Sequence, residues 1–154
     1  VGKTHLIEKI ANELLRSGKH VHGFITREVR DPATNSRTGF VAITLPDEST
    51  VPLASIHNDR SAKKTIYRVG RYTVDIDEFE IMCKSLLEYK DIENVYIVID
   101  EIGKMELFSN DFKQVIMTLC ECSNLTIIAT VPAIYKNVRF ANDLRCNAKI
   151  PVLE

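Results

Sequence analysis

The sequence predicts an α/β fold: a three-layer α/β/α sandwich around a mainly parallel sheet, with an antiparallel β-meander inserted in its first half. Three observations predict it. Two nearly continuous apolar runs, NVYIVID at 94–100 and LTIIATV at 125–131, read as strands buried on both faces of a parallel sheet. Helical apolar spacing alternates with these runs, which is the α/β pattern. Between the first two helical segments, β-rich stretches are separated by short turn clusters, as hairpin-connected strands are.

The totals agree with one soluble domain. At 154 residues the chain buries roughly 70% of the surface that its unfolded form exposes. Hydrophobic residues make up 45% and charged residues 27%, ordinary for a globular protein. A net charge of -1 gives no electrostatic reason to expect nucleic acid or a membrane surface. No apolar run approaches the ~20 residues of a membrane span. Cys83, Cys120, Cys122 and Cys146 form no C-x-x-C pair, and Cys83 lies on an apolar helical pattern. They read as reduced thiols in a cytoplasmic protein, expected to be a monomer. His5, His20, His22 and His57 lack metal-ligand spacing.

Each element has its own signal. Ile7, Ile10, Ala11, Leu14 and Leu15 share one face of a helix expected from Lys3 to Ser17, stopped by Gly18. HVHGFITREVR at 20–30 is a strand, DPATNSRTG a turn cluster, FVAITL a second strand, PDES a turn and TVPLASI a third strand. The polar stretch HNDRSAKK has no regular pattern. YRVGRYTVD at 67–75 reads as one more strand or extended approach. Asp75-Ile76-Asp77-Glu78 fits a capping box for a helix that carries Phe79, Ile81, Met82, Leu86 and Leu87. Ser109 is placed to cap the next helix, with Phe112, Val115, Ile116 and Leu119 on its face. KNVRFANDLR is a helix and AKIPVL a last strand.

Three places carry chemistry. Gly2-Lys3-Thr4 resembles the end of a phosphate-binding loop running into a helix, where unpaired N–H groups and the helix dipole attract phosphate. There Lys3 would reach the β- and γ-phosphates and Thr4 would offer its hydroxyl to Mg²⁺. The bland alternative is a solvated lysine and a capping threonine. Asp100-Glu101 ends a buried strand, where an acid is costly unless it meets water, a cation or a partner. An acid at that place suits Mg²⁺, and a second carboxylate beside it suits activation of a water. The alternative is two acids that merely begin a surface loop. Thr130 ends the neighbouring apolar strand, either as a ligand to water or phosphate or as an ordinary turn residue.

With these residues in view, the chain resembles the THEP-type nucleoside-triphosphatases, the family that includes the cancer-related nucleoside-triphosphatase. DEIGKMELFS at 100–109 is the most characteristic stretch, and GFITREVR at 23–30, RTGF at 37–40 and VGRYTVD at 69–75 follow the family's order. The resemblance implies a P-loop NTPase fold and Mg²⁺-dependent hydrolysis of the terminal phosphate of ATP, GTP, CTP and UTP. It implies that Val1, Gly2, Lys3, Thr4 and His5 contact the nucleotide, that Thr4 and Asp100 hold the metal, and that Glu101, with Lys3, is catalytic. His5 departs from the Ser or Thr common at its position. Arg30, Arg139 and Arg145 are candidate stabilisers of γ-phosphate charge, with Lys104 a weaker one. Two alternatives stay open: a nucleotide or small-molecule kinase on the same fold, and a nucleotide-binding regulatory module with little turnover.

The family's loop has glycines and a full strand before Val1, and a helix after AKIPVLE. The chain is therefore expected to be one P-loop domain over 1–154 without those parts, and to bind nucleotide poorly by itself. The preceding strand is expected in the middle of the sheet, beside the strand that ends in Asp100, leaving VYIVID and LTIIAT on either side of a gap.

Overall fold

Helix α1 (Lys3–Arg16) forms where the apolar spacing places it, in a computed structural model that describes residues 2–56, 67–132 and 139–146, the last two without side chains. Val1, HNDRSAKK, the side chains of Arg145 and Cys146 and the expected strand in AKIPVL lie outside the described residues. Ile7 and Ala11 are buried, and Leu14 and Leu15 pack beside them against Val21, Ile25, Leu45 and Val98. One apolar stripe is what a helix lying on a sheet needs. The helix closes through Gly18, at φ 70, whose N–H donates to the Leu15 carbonyl.

The meander follows as expected. β1 (His20–Arg30), β2 (Arg37–Leu45) and β3 (Thr50–Ser55) pair antiparallel in sequence order. The stretch YRVGRYTVD is a hairpin rather than one strand: β4 (Tyr67–Val69) and β5 (Tyr72–Val74) pair around Gly70 at φ 58. A glycine takes that left-handed conformation without a side-chain penalty.

Helix α2 (Asp77–Ser85) begins later than the expected capping box. Ile76 holds the cap position, and its side chain makes no capping bond. Asp75 instead extends the sheet, its N–H donating to the Leu53 carbonyl at 2.8 Å, while its carboxylate accepts from the Asp77 N–H at 3.4 Å. Phe79 and Cys83, one turn apart, form the buried stripe. Ile81 lies on the opposite side of the helix from them and is 72% exposed.

β6 (Val95–Asp100) is buried almost throughout, helix α3 (Asn110–Glu121) buries all four expected residues, and β7 (Leu125–Ala129) follows. Helix α4 (Arg139–Cys146) ends the described chain. The Ser109 hydroxyl accepts from the Phe112 N–H at 2.9 Å, the expected cap of α3.

The described strands form one mixed sheet in the order β4-β5-β3-β2-β1-β6-β7. β1, β6 and β7 are parallel, and the meander continues the same sheet from the other side of β1. α1 covers one face, while α2 and α3 cover the other through a core built on Phe24, Phe79 and Phe112. The three-layer expectation holds.

The expected gap does not. β6 and β7 bond directly, from Val95 opposite Leu125 to Ile99 opposite Ala129. β7 is also not fully buried; Thr126 and Ala129 are exposed. Among the described strands it is outermost, so β6 alone flanks it. At the other join, Gly23 sits at φ 124, and a Cβ there would fall 1.8 Å from the Val98 carbonyl oxygen. Glycine lets β1 and β6 approach at this point. Among the described residues no helix is long and apolar enough to cross a membrane.

Candidate functional site

The C-terminal ends of β6 and β7 meet the N-terminus of α1. β1 stays paired with β6 until Ile25 lies opposite Asp100, then runs on to Arg30 without it. The tips of β6 and β7 are tied together from both sides. Thr130 donates its N–H to the Ile99 carbonyl at 3.0 Å, and Ile102 donates to the Thr130 carbonyl at 2.9 Å.

Gly2 caps α1 in the left-handed region, at φ 96, with no side-chain cap. No acidic residue occupies the first helical turn, and Lys3, Thr4 and His5 are exposed. Such an end leaves its first N–H groups and the positive end of the dipole without a negative partner on the helix itself. Lys3 turns its ammonium onto Glu101, Nζ to Oε2 3.2 Å, with the two side chains 45% and 34% exposed. A pair this open contributes little to stability.

Asp100 is the opposite case, with 1% of its surface exposed. Its Oδ1 accepts from the Thr130 hydroxyl at 2.7 Å, and its backbone carbonyl accepts from the Thr26 hydroxyl. Its Oδ2 is buried with no hydrogen-bond partner among the described residues. An orphaned buried oxygen costs about 1–3 kcal/mol, more when it carries charge, so some cation or donor is expected to complete it. A hard carboxylate oxygen suits Mg²⁺, which takes one or two protein oxygens together with waters and substrate phosphates. Among the described residues no three His, Cys, Asp or Glu side chains gather into a protein-only metal cage. The donors present therefore fit Mg²⁺ held jointly with a ligand.

The structure thus brings Lys3, Glu101, Asp100 and Thr130 to one place, and puts Thr4 and His5 on the helix end beside Lys3. Two of the candidate arginines have other partners. Arg30 pairs with Glu28 at 2.5 Å and donates to the Asn35 carbonyl, and the fully exposed Arg139 faces Asp143 on its own helix at 3.8 Å. Lys104 is exposed on the loop after the acids.

Sequence reasoning missed Thr26 and Glu106. Glu106 is a buried acid, 5% exposed, in the short 3-10 turn Glu106–Phe108. Burial pushes its carboxyl up to about 8, with the negative charges of Glu101 and Asp100 pushing the same way and hydrogen bonds from backbone N–H groups, Gly103 among them, pulling down. One signal was available: an acid set between Met105 and Leu107, inside the stretch that carries the catalytic candidates.

Residues 1–154 match a protein family described as NTPase. The nucleoside-triphosphatase THEP1 of Aquifex aeolicus is 38% identical over 138 residues, covering 86% of this chain and 72% of that protein. The solution structure of a human cancer-related nucleoside triphosphatase superposes with a TM-score of 0.75 at 34% identity, over 95% of this chain and 80% of the other. The crystal structure of the Aquifex THEP1 gives 0.74 at 33% identity, over 96% and 80%.

Proposed function

This chain belongs to the NTPase family, and from that premise we propose that it is a magnesium-dependent nucleoside-triphosphatase releasing the terminal phosphate of ATP, GTP, CTP and UTP. The observation that carries the reading is the contact of Lys3 with Glu101 beside a buried Asp100 whose Oδ2 lacks a partner.

The geometry supports the following division of work. An arriving triphosphate offers Lys3 a denser negative charge than Glu101 does, so the ammonium moves to the β- and γ-phosphates. That frees the Glu101 carboxylate to orient a water and take its proton as the water oxygen attacks the γ-phosphorus. The bond from the γ-phosphorus to the bridging oxygen breaks, and the electron pair leaves with the nucleoside diphosphate. Asp100, through Oδ2, and the Thr4 hydroxyl are the residues to hold Mg²⁺. When bound, the ion neutralises charge on the phosphate oxygens. Thr130 keeps Asp100 in one orientation through Oδ1. Phosphoryl transfer needs mainly positioning and electrostatics, and this short set of groups supplies both.

All of these groups address phosphates, metal or water, so binding energy does not distinguish bases. Phosphate release from the four triphosphates, with Mg²⁺ and with chelator, tests the reading. Expected is metal-dependent release from all four within about 100-fold of one another, roughly 2.7 kcal/mol. No release from any of them, or release only when an acceptor hydroxyl compound is added, rejects hydrolysis in favour of binding alone or a kinase.

A further inference from the structure

The buried carboxyl of Glu106 has no part in the chemistry above, yet it stands directly behind it. The loop after β6 is held at successive residues. Asp100 is anchored through Thr26 and Thr130, and Ile102 is bonded to the Thr130 carbonyl. Gly103 donates its N–H to Glu106 Oε2 at 3.1 Å, inside the core. The Gly103 carbonyl accepts from the Leu107 N–H at 3.1 Å, which closes the turn.

Glu101 lies within this loop with its side chain folded over Gly103. A Cβ on Gly103 would come within 2.8 Å of Glu101 Oε1 and within 2.9 Å of Glu106 Oε2. The two carboxyls therefore both crowd the one position that a Cβ on Gly103 would occupy. Glu101 is held from outside by the half-exposed ammonium of Lys3, a contact that a bound triphosphate would remove under the hydrolase reading. What then keeps Glu101 in place has to come from the loop itself.

We propose that Glu106 is a positioning residue for Glu101: by accepting the Gly103 N–H from within the core, it fixes the turn against which the Glu101 carboxylate rests. Its protonation supports that role. With its carboxyl pushed up to about 8 by burial, Glu106 is largely neutral near pH 7, so it braces the turn without adding a full negative charge beside Asp100 and Glu101. The inference rests on the reading of Glu101 as the base. A displacement of the base of about 1 Å costs on the order of 100-fold in rate.

The test compares Glu106→Met with Glu106→Gln in the full chain. Met fills the space but offers the Gly103 N–H only a weak thioether acceptor, and removing a buried acid should not unfold the protein. Gln keeps a neutral carbonyl that can accept it. Expected for Glu106→Met is a kcat lowered roughly 10- to 100-fold per nucleotide-binding site, with KM for ATP within about threefold of the parent. Glu106→Gln should restore kcat to within about threefold of the parent. The Gly103 amide resonance should shift and exchange faster in Glu106→Met but stay near its parental position in Glu106→Gln. A Glu106→Met kcat within twofold of the parent overturns the proposal. So does a Glu106→Gln variant as impaired as Glu106→Met, because then the acid itself, not the bond it accepts, would matter. Absence of hydrolysis by the parent rejects the hydrolase reading, and with it a base for Glu106 to position. Parental hydrolysis with an unaffected Glu106→Met rejects the positioning role alone.

Discussion

The Lys3 ammonium lies 3.2 Å from the Glu101 carboxylate, so the residue suited to bind phosphate and the residue suited to activate water hold each other. Under the proposed mechanism a triphosphate must separate them, and the two substitutions should have opposite effects on binding. Glu101→Gln removes the basic oxygen and frees Lys3. Hydrolysis should fall about 10²–10⁴-fold while ATP affinity is unchanged or higher. Lys3→Ala should weaken ATP binding, and the loss should shrink as ionic strength rises. Equilibrium titration with ATP and single-turnover phosphate release measure both. Hydrolysis by Glu101→Gln within twofold of the parent would remove Glu101 from the role of base.

Thr130→Val is nearly isosteric but deletes the donor to Asp100 Oδ1. The buried carboxylate would then have neither oxygen paired among the described side chains. Stability should drop by about 1–3 kcal/mol in urea unfolding. The Mg²⁺ concentration for half-maximal hydrolysis should rise roughly 10-fold, as expected when a partner that orients a metal ligand is lost. An unchanged magnesium requirement would show that the hydroxyl does not orient Asp100.

Glu106 predicts a pH dependence of stability. Its folded-state value is about 8 against an ordinary 4.5, so between those values the folded chain holds a proton that the unfolded chain has released. Its stabilising contribution is complete below the ordinary value and is lost as pH rises through about 8. The groups that bear on it are the carboxylates of Asp100 and Glu101, the Gly103 N–H and, on α2, the buried Cys83 thiol. Unfolding free energy should fall with pH by up to about 1.4 kcal/mol per unit within that window. Urea midpoints at several pH values should show the slope in the parent and a flatter one in Glu106→Gln. Equal slopes would mean that Glu106 does not titrate there.

Gly23→Ala should be among the most damaging small substitutions in the chain. The added Cβ would sit 1.8 Å from the Val98 carbonyl oxygen, in a backbone conformation at φ 124 that disfavours side chains. The atom it meets is backbone, and relief requires prising β1 from β6. A loss of about 3 kcal/mol or more is expected, at or above the top of the usual range for overpacking. A urea midpoint equal to the parent's would mean that the two strands separate easily.

How legible each part was follows from the range of the interaction involved. The Ser109 cap, α1 and the alternation of β1, β2 and β3 depend on residues near one another in sequence, and all appear where the spacing places them. Asp75 shows the limit of local reading. Its sequence fits a helix cap, but a bond from its N–H to the Leu53 carbonyl draws it into the sheet. Ile81 shows another, since an apolar residue in a helix is buried only when it lies on the face that neighbouring elements cover. As candidates, Lys3, Thr4, Asp100 and Glu101 stand out in the sequence because each belongs to a short motif. Glu106 was not, because an acid's burial depends on α2 and α3 closing over it.

The sequence by itself determined the α/β class, the strands and helices with strong periodicity, and the short motifs that supply the candidate site residues. Tertiary structure alone decided that β6 pairs directly with β7, that Thr130 reaches Asp100 and that Lys3 reaches Glu101. The physical reason is separation along the chain. Periodicity and capping are settled by side chains a few residues apart. Strand order, burial and contacts between distant residues are settled by which surfaces exclude water together once the whole chain has packed.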